Sequence, residues 1–117
     1  MDMEYEEAFQ ATVVHRLDGY LARDKNGIRH AVIGTLLRER SVTAYHLHAQ
    51  LGAAYEVSPK QVISMLGVMT SKLGILAARR QSYDQVYTYT LREKYVPVIR
   101  KALDKPREYP PIIRVPA

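Results

Sequence analysis

Five polar residues fall on one side of the stretch 57–76: Lys60, Gln61, Ser64, Ser71 and Lys72. At roughly 100° per residue they project together if the stretch is helical. Two ammonium groups, an amide and two short hydroxyls, with no carboxylate among them, suit contact with phosphate oxygens and base edges. A face that serves only solubility usually mixes both signs of charge. Arg79 and Arg80 follow shortly after and add two guanidinium groups suited to phosphate. Val68 lies in the middle of this face, where it suits a thymine methyl or a protein partner, and Gly67 lies at its edge.

Other chemistries find little support. The chain has no cysteine, which excludes disulfides and thiolate metal sites. The carboxylates are mostly terminal or isolated, no glycine-rich phosphate loop occurs, and nothing places a nucleophile beside a base. No enzymatic activity and no cofactor are therefore expected. His46 and His48 lie two apart, about 200° around a helix, and cannot share a metal. His30 and His46 meet only if tertiary structure brings them together. All three read as ordinary surface or boundary residues. Of the nine tyrosines, Tyr5, Tyr20, Tyr87, Tyr89 and Tyr95 fall on expected inner faces, and Tyr45, Tyr55 and Tyr83 on exposed ones.

The elements that must position these groups can be read from period and punctuation. Ser58 and Gln61 have the spacing of a capping box, Pro59 sits at the first helical position, and Val57 and Val62 have the spacing of a hydrophobic staple. Val62, Leu66, Met69 and Leu73, helped by Ile63 and Thr70, form the inner face of a helix over 58–73. Gly74 suits a left-handed residue just past its end. Upstream, Tyr5, Phe9, Val13, Leu17 and Leu21 repeat every four residues, with Tyr20 alongside, and predict a helix over 3–23. Asp2, Glu4, Glu6 and Glu7 suit the positive end of its dipole. After the Asn26-Gly27 turn, a helix is expected over 28–39, with Ile28, Ala31, Val32, Thr35, Leu36 and Leu37 largely inward. Ser41, Val42 and Thr43 are read as its end, and Thr43 as the cap of a short helix 44–52 built on Ala44, Leu47 and Leu51. With the tight turn before Ser58, this short helix and the next have the form of a helix-turn-helix.

After Leu73 the period falls to two. Strands are expected over 75–80 and 86–91, joined by a loop at 81–85. Tyr87, Tyr89 and Leu91 share one face of the second strand. Thr90 to Glu93 again has capping-box form and predicts a helix toward Asp104, with Tyr95, Val98, Ile99, Ala102 and Leu103 inward. Pro97 either kinks that helix or marks its first turn. The stretch 105–117 is proline-rich and reads as an extended tail.

At 117 residues the chain has the length of a single domain, and its 47% hydrophobic content supplies a core. The net charge of +5 is unevenly spread. Residues 1–24 carry −4, residues 25–80 carry +6 with only Glu39 and Glu56 as acids, and residues 81–117 carry +3. The positive charge surrounds the helix 58–73, which suits a polyanion. No apolar run reaches membrane-span length, so no membrane contact and a cytoplasmic location are expected.

The order of three helices, a two-stranded hairpin and a further helix resembles the winged helix-turn-helix of prokaryotic transcription regulators. Val57-Ser58, Gln61-Val62, Leu66, Leu73 to Leu76 and Tyr87 to Leu91 carry the likeness, which covers 27–103. Residues 23–29, 64–76 and 91–95 are similar to a small archaeal family of winged-helix proteins without an established function. The fold class implied is mainly α with a small β-hairpin, an extra N-terminal helix at 3–23 and a C-terminal helix. The general likeness implies double-stranded DNA as partner and helix 58–73 in the major groove, with Lys60, Gln61, Ser64, Ser71 and Lys72 facing DNA and Arg79 and Arg80 near the wing. The chain departs from strong DNA binders in having no arginine on that helix, the residue best matched to guanine. The alternative is a protein-interaction module that uses Val68, Met65 and the tail. Helix 3–23 is surplus to a winged core; it either packs internally or forms a dimer seam, so a homodimer would form through it or through the C-terminal region.

Overall fold

The computed structural model describes residues 2–105, with side chains from residue 9 onward. The roles expected of Tyr5, of Asp2, Glu4, Glu6 and Glu7, and of the tail beyond Lys105 lie outside those described positions. The elements run α1 (Asp2–Ala22), α2 (Ile28–Glu39), β1 (Ser41–Thr43), α3 (Ala44–Leu51), α4 (Pro59–Ser71), β2 (Leu76–Arg79), β3 (Thr88–Leu91) and α5 (Val96–Asp104). The chain is mainly helical with one small antiparallel sheet in the order β1-β3-β2, a winged-helix-like arrangement carrying an extra helix in front.

α4 begins as its sequence dictates. The Ser58 side chain accepts the Gln61 N–H at 3.1 Å, and Gln61 Oε1 accepts the Ser58 N–H at 2.8 Å. Val62, Leu66, Met69 and Leu73 are buried, and Gly74 then takes the left-handed conformation (φ 73°) that turns the chain toward β2. Thr43 caps α3 by accepting the His46 N–H at 3.1 Å. α3 and α4 pack against each other.

Two local expectations are corrected and one open alternative is resolved. Ser41, Val42 and Thr43 do not merely end α2; they form β1, paired with Thr90, Tyr89 and Thr88 of β3. A left-handed Arg40 (φ 67°) makes the break, and its carbonyl accepts the Leu91 N–H at 2.7 Å. Thr90 caps no helix, because β3 continues through Leu91 and the Thr90 hydroxyl pairs with Ser41 Oγ at 2.8 Å. A short 3-10 turn, Glu93–Tyr95, intervenes, and Pro97 falls in the first turn of α5 rather than at a kink.

The core draws on every helix. Leu17 and Leu21 of α1, Val32, Ile33 and Leu36 of α2, and Tyr95 and Ile99 near the C-terminal end are all buried. Ile33 had not been assigned inward. α1 packs along α5 and touches α2, and Phe9 stacks on Tyr95 with centroids 6.4 Å apart. Asp24 joins α1 to α2. Its buried carboxylate accepts the backbone N–H groups of Arg29 (3.2 Å) and His30 (3.1 Å) and lies 2.6 Å from His30 Nδ1. Burial pushes this carboxyl up, but the hydrogen bonds from the His30 side chain and from the two N–H groups outweigh it. The net result is a pKa below the ordinary carboxylate value.

Candidate nucleic-acid interface

With its inner residues held in the core, α4 turns its other side outward. Lys60, Gln61, Ser64, Ser71 and Lys72 are all exposed, and neither lysine has an ion-pair partner among the described residues. Lys60 sits in the first turn of α4, which holds no acidic residue, at the positive end of the helix dipole. An anion at that end would meet both charges. The donor inventory narrows what each group can do. Gln61 Oε1 is committed to the cap, which leaves the amide N–H groups for a partner and excludes a two-point adenine contact while the cap holds. Ser71 Oγ donates to the Gly67 carbonyl at 2.8 Å, so its proton is already used. The Ser64 hydroxyl is exposed and makes no hydrogen bond among the described residues.

Two assignments on α4 exchange places. Ile63, expected inside, is 52% exposed. Val68, expected at the centre of the free face, is half-buried and packs against the core, as does Met65. α1 passes beside the C-terminal end of α4 on the side of Val68, where Arg16 Nη1 donates to the Lys72 carbonyl at 3.3 Å.

The wing is the β2–β3 hairpin, with Arg79 opposite Thr88. Arg79 and Arg80 are both exposed. Arg80 is ordered by aromatic faces, its guanidinium 4.8 Å from the Tyr83 centroid and 4.7 Å from that of Tyr87. Tyr83 at the tip is 91% exposed. Tyr87, expected inside, precedes the first paired residue of β3 and is exposed. Asp84 places one negative charge in the loop. The Ser82 hydroxyl, at 2.6 Å, and then its own backbone N–H hold it below the usual carboxylate range.

Beside the C-terminal end of α4 lies a cleft of about 620 Å³. Arg16, Gly19 and Tyr20 of α1, with Arg23 just past its end, form one wall, and Val68 and Lys72 form part of the other. The signal Arg16-x-x-Gly19-Tyr20-x-x-Arg23, one stripe of a helix, was present in the sequence. The four-residue apolar repeat of α1 does not reveal it. Tyr20 is buried, with Arg29 4.2 Å from its ring centroid and donating to its carbonyl at 2.8 Å. Burial pushes its hydroxyl up, partly offset by Arg29 and reinforced by Asp24.

The remaining histidines have local partners. His46 Nε2 lies 3.3 Å from Glu39 Oε1, and His48 Nε2 lies 2.9 Å from the Val57 carbonyl. Among the described residues no three His, Asp or Glu side chains gather where they could hold a metal ion. None of the described helices is long and apolar enough to cross a membrane.

Residues 17–99 match the family DUF2551, described as a protein of unknown function. The chain belongs to this family. The chain is also 33% identical over 94 residues to an uncharacterized protein of Archaeoglobus fulgidus, an alignment covering 80% of this chain and 94% of that relative. No solved structure matches. The family segment takes in α4, the wing and the end of α1, so it includes all seven candidate residues and Arg23, whereas Arg16 precedes it.

Proposed function

We propose that the protein is a DNA-binding transcription regulator that sets the outer side of α4 in the major groove of double-stranded DNA and its wing against the backbone. The observation that carries this reading is the pairing of two exposed surfaces. Lys60 and Lys72 stand unpaired on α4, and Arg79 and an aromatic-braced Arg80 stand on the hairpin that follows it. Lysine and arginine meet phosphates, Ser64 and the Gln61 amide meet edges, and Tyr83 reaches a groove. With no arginine on α4, affinity comes mainly from phosphate contacts, and discrimination between sequences is modest. Reading a two-fold operator needs a homodimer, for which α1 or the C-terminal region is the surface we assign. It would set two copies of α4 about 34 Å apart. The competing protein-assembly role loses two of its contacts, because Val68 and Met65 are half-buried. Fluorescence anisotropy of a labelled duplex over a salt series tests the proposal. Affinity should fall steeply as salt rises, and Lys60→Ala and Arg79→Ala should each lower the log–log slope by about 1. Absence of binding at low salt, or binding indifferent to salt, would remove the reading.

A further inference from the structure

We propose that the cleft between α1 and the C-terminal end of α4 binds a small organic anion, a carboxylate or phosphate carried on a flat apolar body. Four observations converge there. The volume of about 620 Å³ lies within the usual range of small-molecule sites, about 300–1,000 Å³. Arg16, Arg23 and Lys72 line it together with His15, and no carboxylate does among the described residues. The guanidinium groups are already oriented: Arg16 donates to the Lys72 carbonyl and Arg23 to the Gly19 carbonyl, and each keeps further N–H groups for a ligand. Tyr20, Val68 and Leu73 give the walls an apolar surface for the body of the ligand.

The cleft wall also carries an unmet need. The Tyr20 hydroxyl is buried and has no hydrogen-bond partner among the described residues, although the side chain forms part of the cleft wall. A buried hydroxyl left unpaired is costly, and none of its surface is open to the cleft, so removing it should stabilise the unliganded chain. Gly19 keeps the space open. A Cβ there would meet only Arg23 Nη1, at 3.7 Å, so a larger side chain would grow into the cleft without striking the core.

Lys72 and Ser71 belong both to this cleft and to the outer side of α4. A bound anion therefore neutralises part of the surface assigned to DNA, and the ligand acts as a negative effector. This regulatory half rests on the DNA reading; the binding half does not.

Isothermal titration calorimetry of the full chain with phenyl phosphate, benzoate and inorganic phosphate at matched ionic strength tests the binding. One site should take an aromatic probe about tenfold more tightly than inorganic phosphate, because the ring is buried. The tighter of the two aromatic probes identifies the anionic group. Gly19→Leu should fold at least as stably as the parent and abolish binding. Tyr20→Phe should raise the thermal midpoint without ligand, and Arg16→Gln and Arg23→Gln should each weaken binding about tenfold. No binding of either aromatic probe, affinity no better than that of inorganic phosphate, or binding untouched by Gly19→Leu would overturn the site. In a separate anisotropy arm, saturating phenyl phosphate should weaken duplex binding beyond an equal ionic strength of sodium chloride. Unchanged duplex affinity with the probe bound would overturn the effector role. A chain that binds no duplex at all would remove the DNA reading and leave the calorimetry to decide the cleft.

Discussion

Replacing Gly67 by alanine should stabilise the protein. Gly67 lies inside α4, and a Cβ built on it meets nothing within 4 Å. Alanine is favoured over glycine in a helix interior by about 0.8–1.0 kcal/mol. With no clash to subtract, nearly all of that should appear as stability. For a domain of this size the thermal midpoint should rise by roughly 4 °C. Urea denaturation and calorimetry measure the two quantities independently. The glycine also borders the cationic groups of α4, so Gly67→Glu carries a second reading. Glutamate retains most of the helical gain, yet it sets a carboxylate one turn from Ser64 and Ser71. At low salt it should weaken duplex binding about tenfold or more while the fold stays intact. A loss of stability in Gly67→Ala would refute the reasoning, because it would mean that something packs over this side of α4. A fully folded Gly67→Glu with unaltered DNA affinity would detach Gly67 from the interface.

The Asp24 joint predicts an acid limb. Because its folded pKa lies below the ordinary value, its contribution is complete above the unfolded pKa of about 3.9 and is lost as pH falls through the lower folded value. Asp24→Asn should therefore destabilise most at neutral pH, by about 1–2 kcal/mol for the weakened hydrogen bonds, and the urea midpoints of the two proteins should draw together as pH falls below about 4; a constant gap down to pH 2 would contradict this. Ser58→Ala breaks the capping box of α4 and should cost about 1 kcal/mol, read from the shift in urea midpoint, without moving any wing contact.

Local signals carried most of the fold. The Ser58–Gln61 box, Pro59 and the apolar spacing from Val62 to Leu73 specify α4 within a few residues, and the structure keeps them all. What could not be read locally depended on distant partners. A three-residue strand such as Ser41–Thr43 is too short to show a period; its pairing with β3, about fifty residues on, creates it. The same pairing takes Thr90 into a ladder and away from the cap its sequence resembles. A helical wheel of α4 places Ile63 inside and Val68 outside. The passage of α1 beside the C-terminal end brings partial cover to Val68, and the wheel holds no information about where α1 lies. The polar residues of α4 were legible by type and spacing. The groups already committed within the protein, the Gln61 Oε1 acceptor and the Ser71 hydroxyl donor, became apparent only from distances.

A nitrogen-15 NMR titration of the protein with an unlabelled duplex at low salt bears most directly on the claim that α4 and the wing form the DNA surface. Amide shifts should concentrate in residues 60–72 and 79–88. Arg38, Arg40 and Arg100 line a second basic depression, which serves as an internal comparison. Shifts gathered around those arginines, with α4 and the wing unmoved, would contradict the central claim.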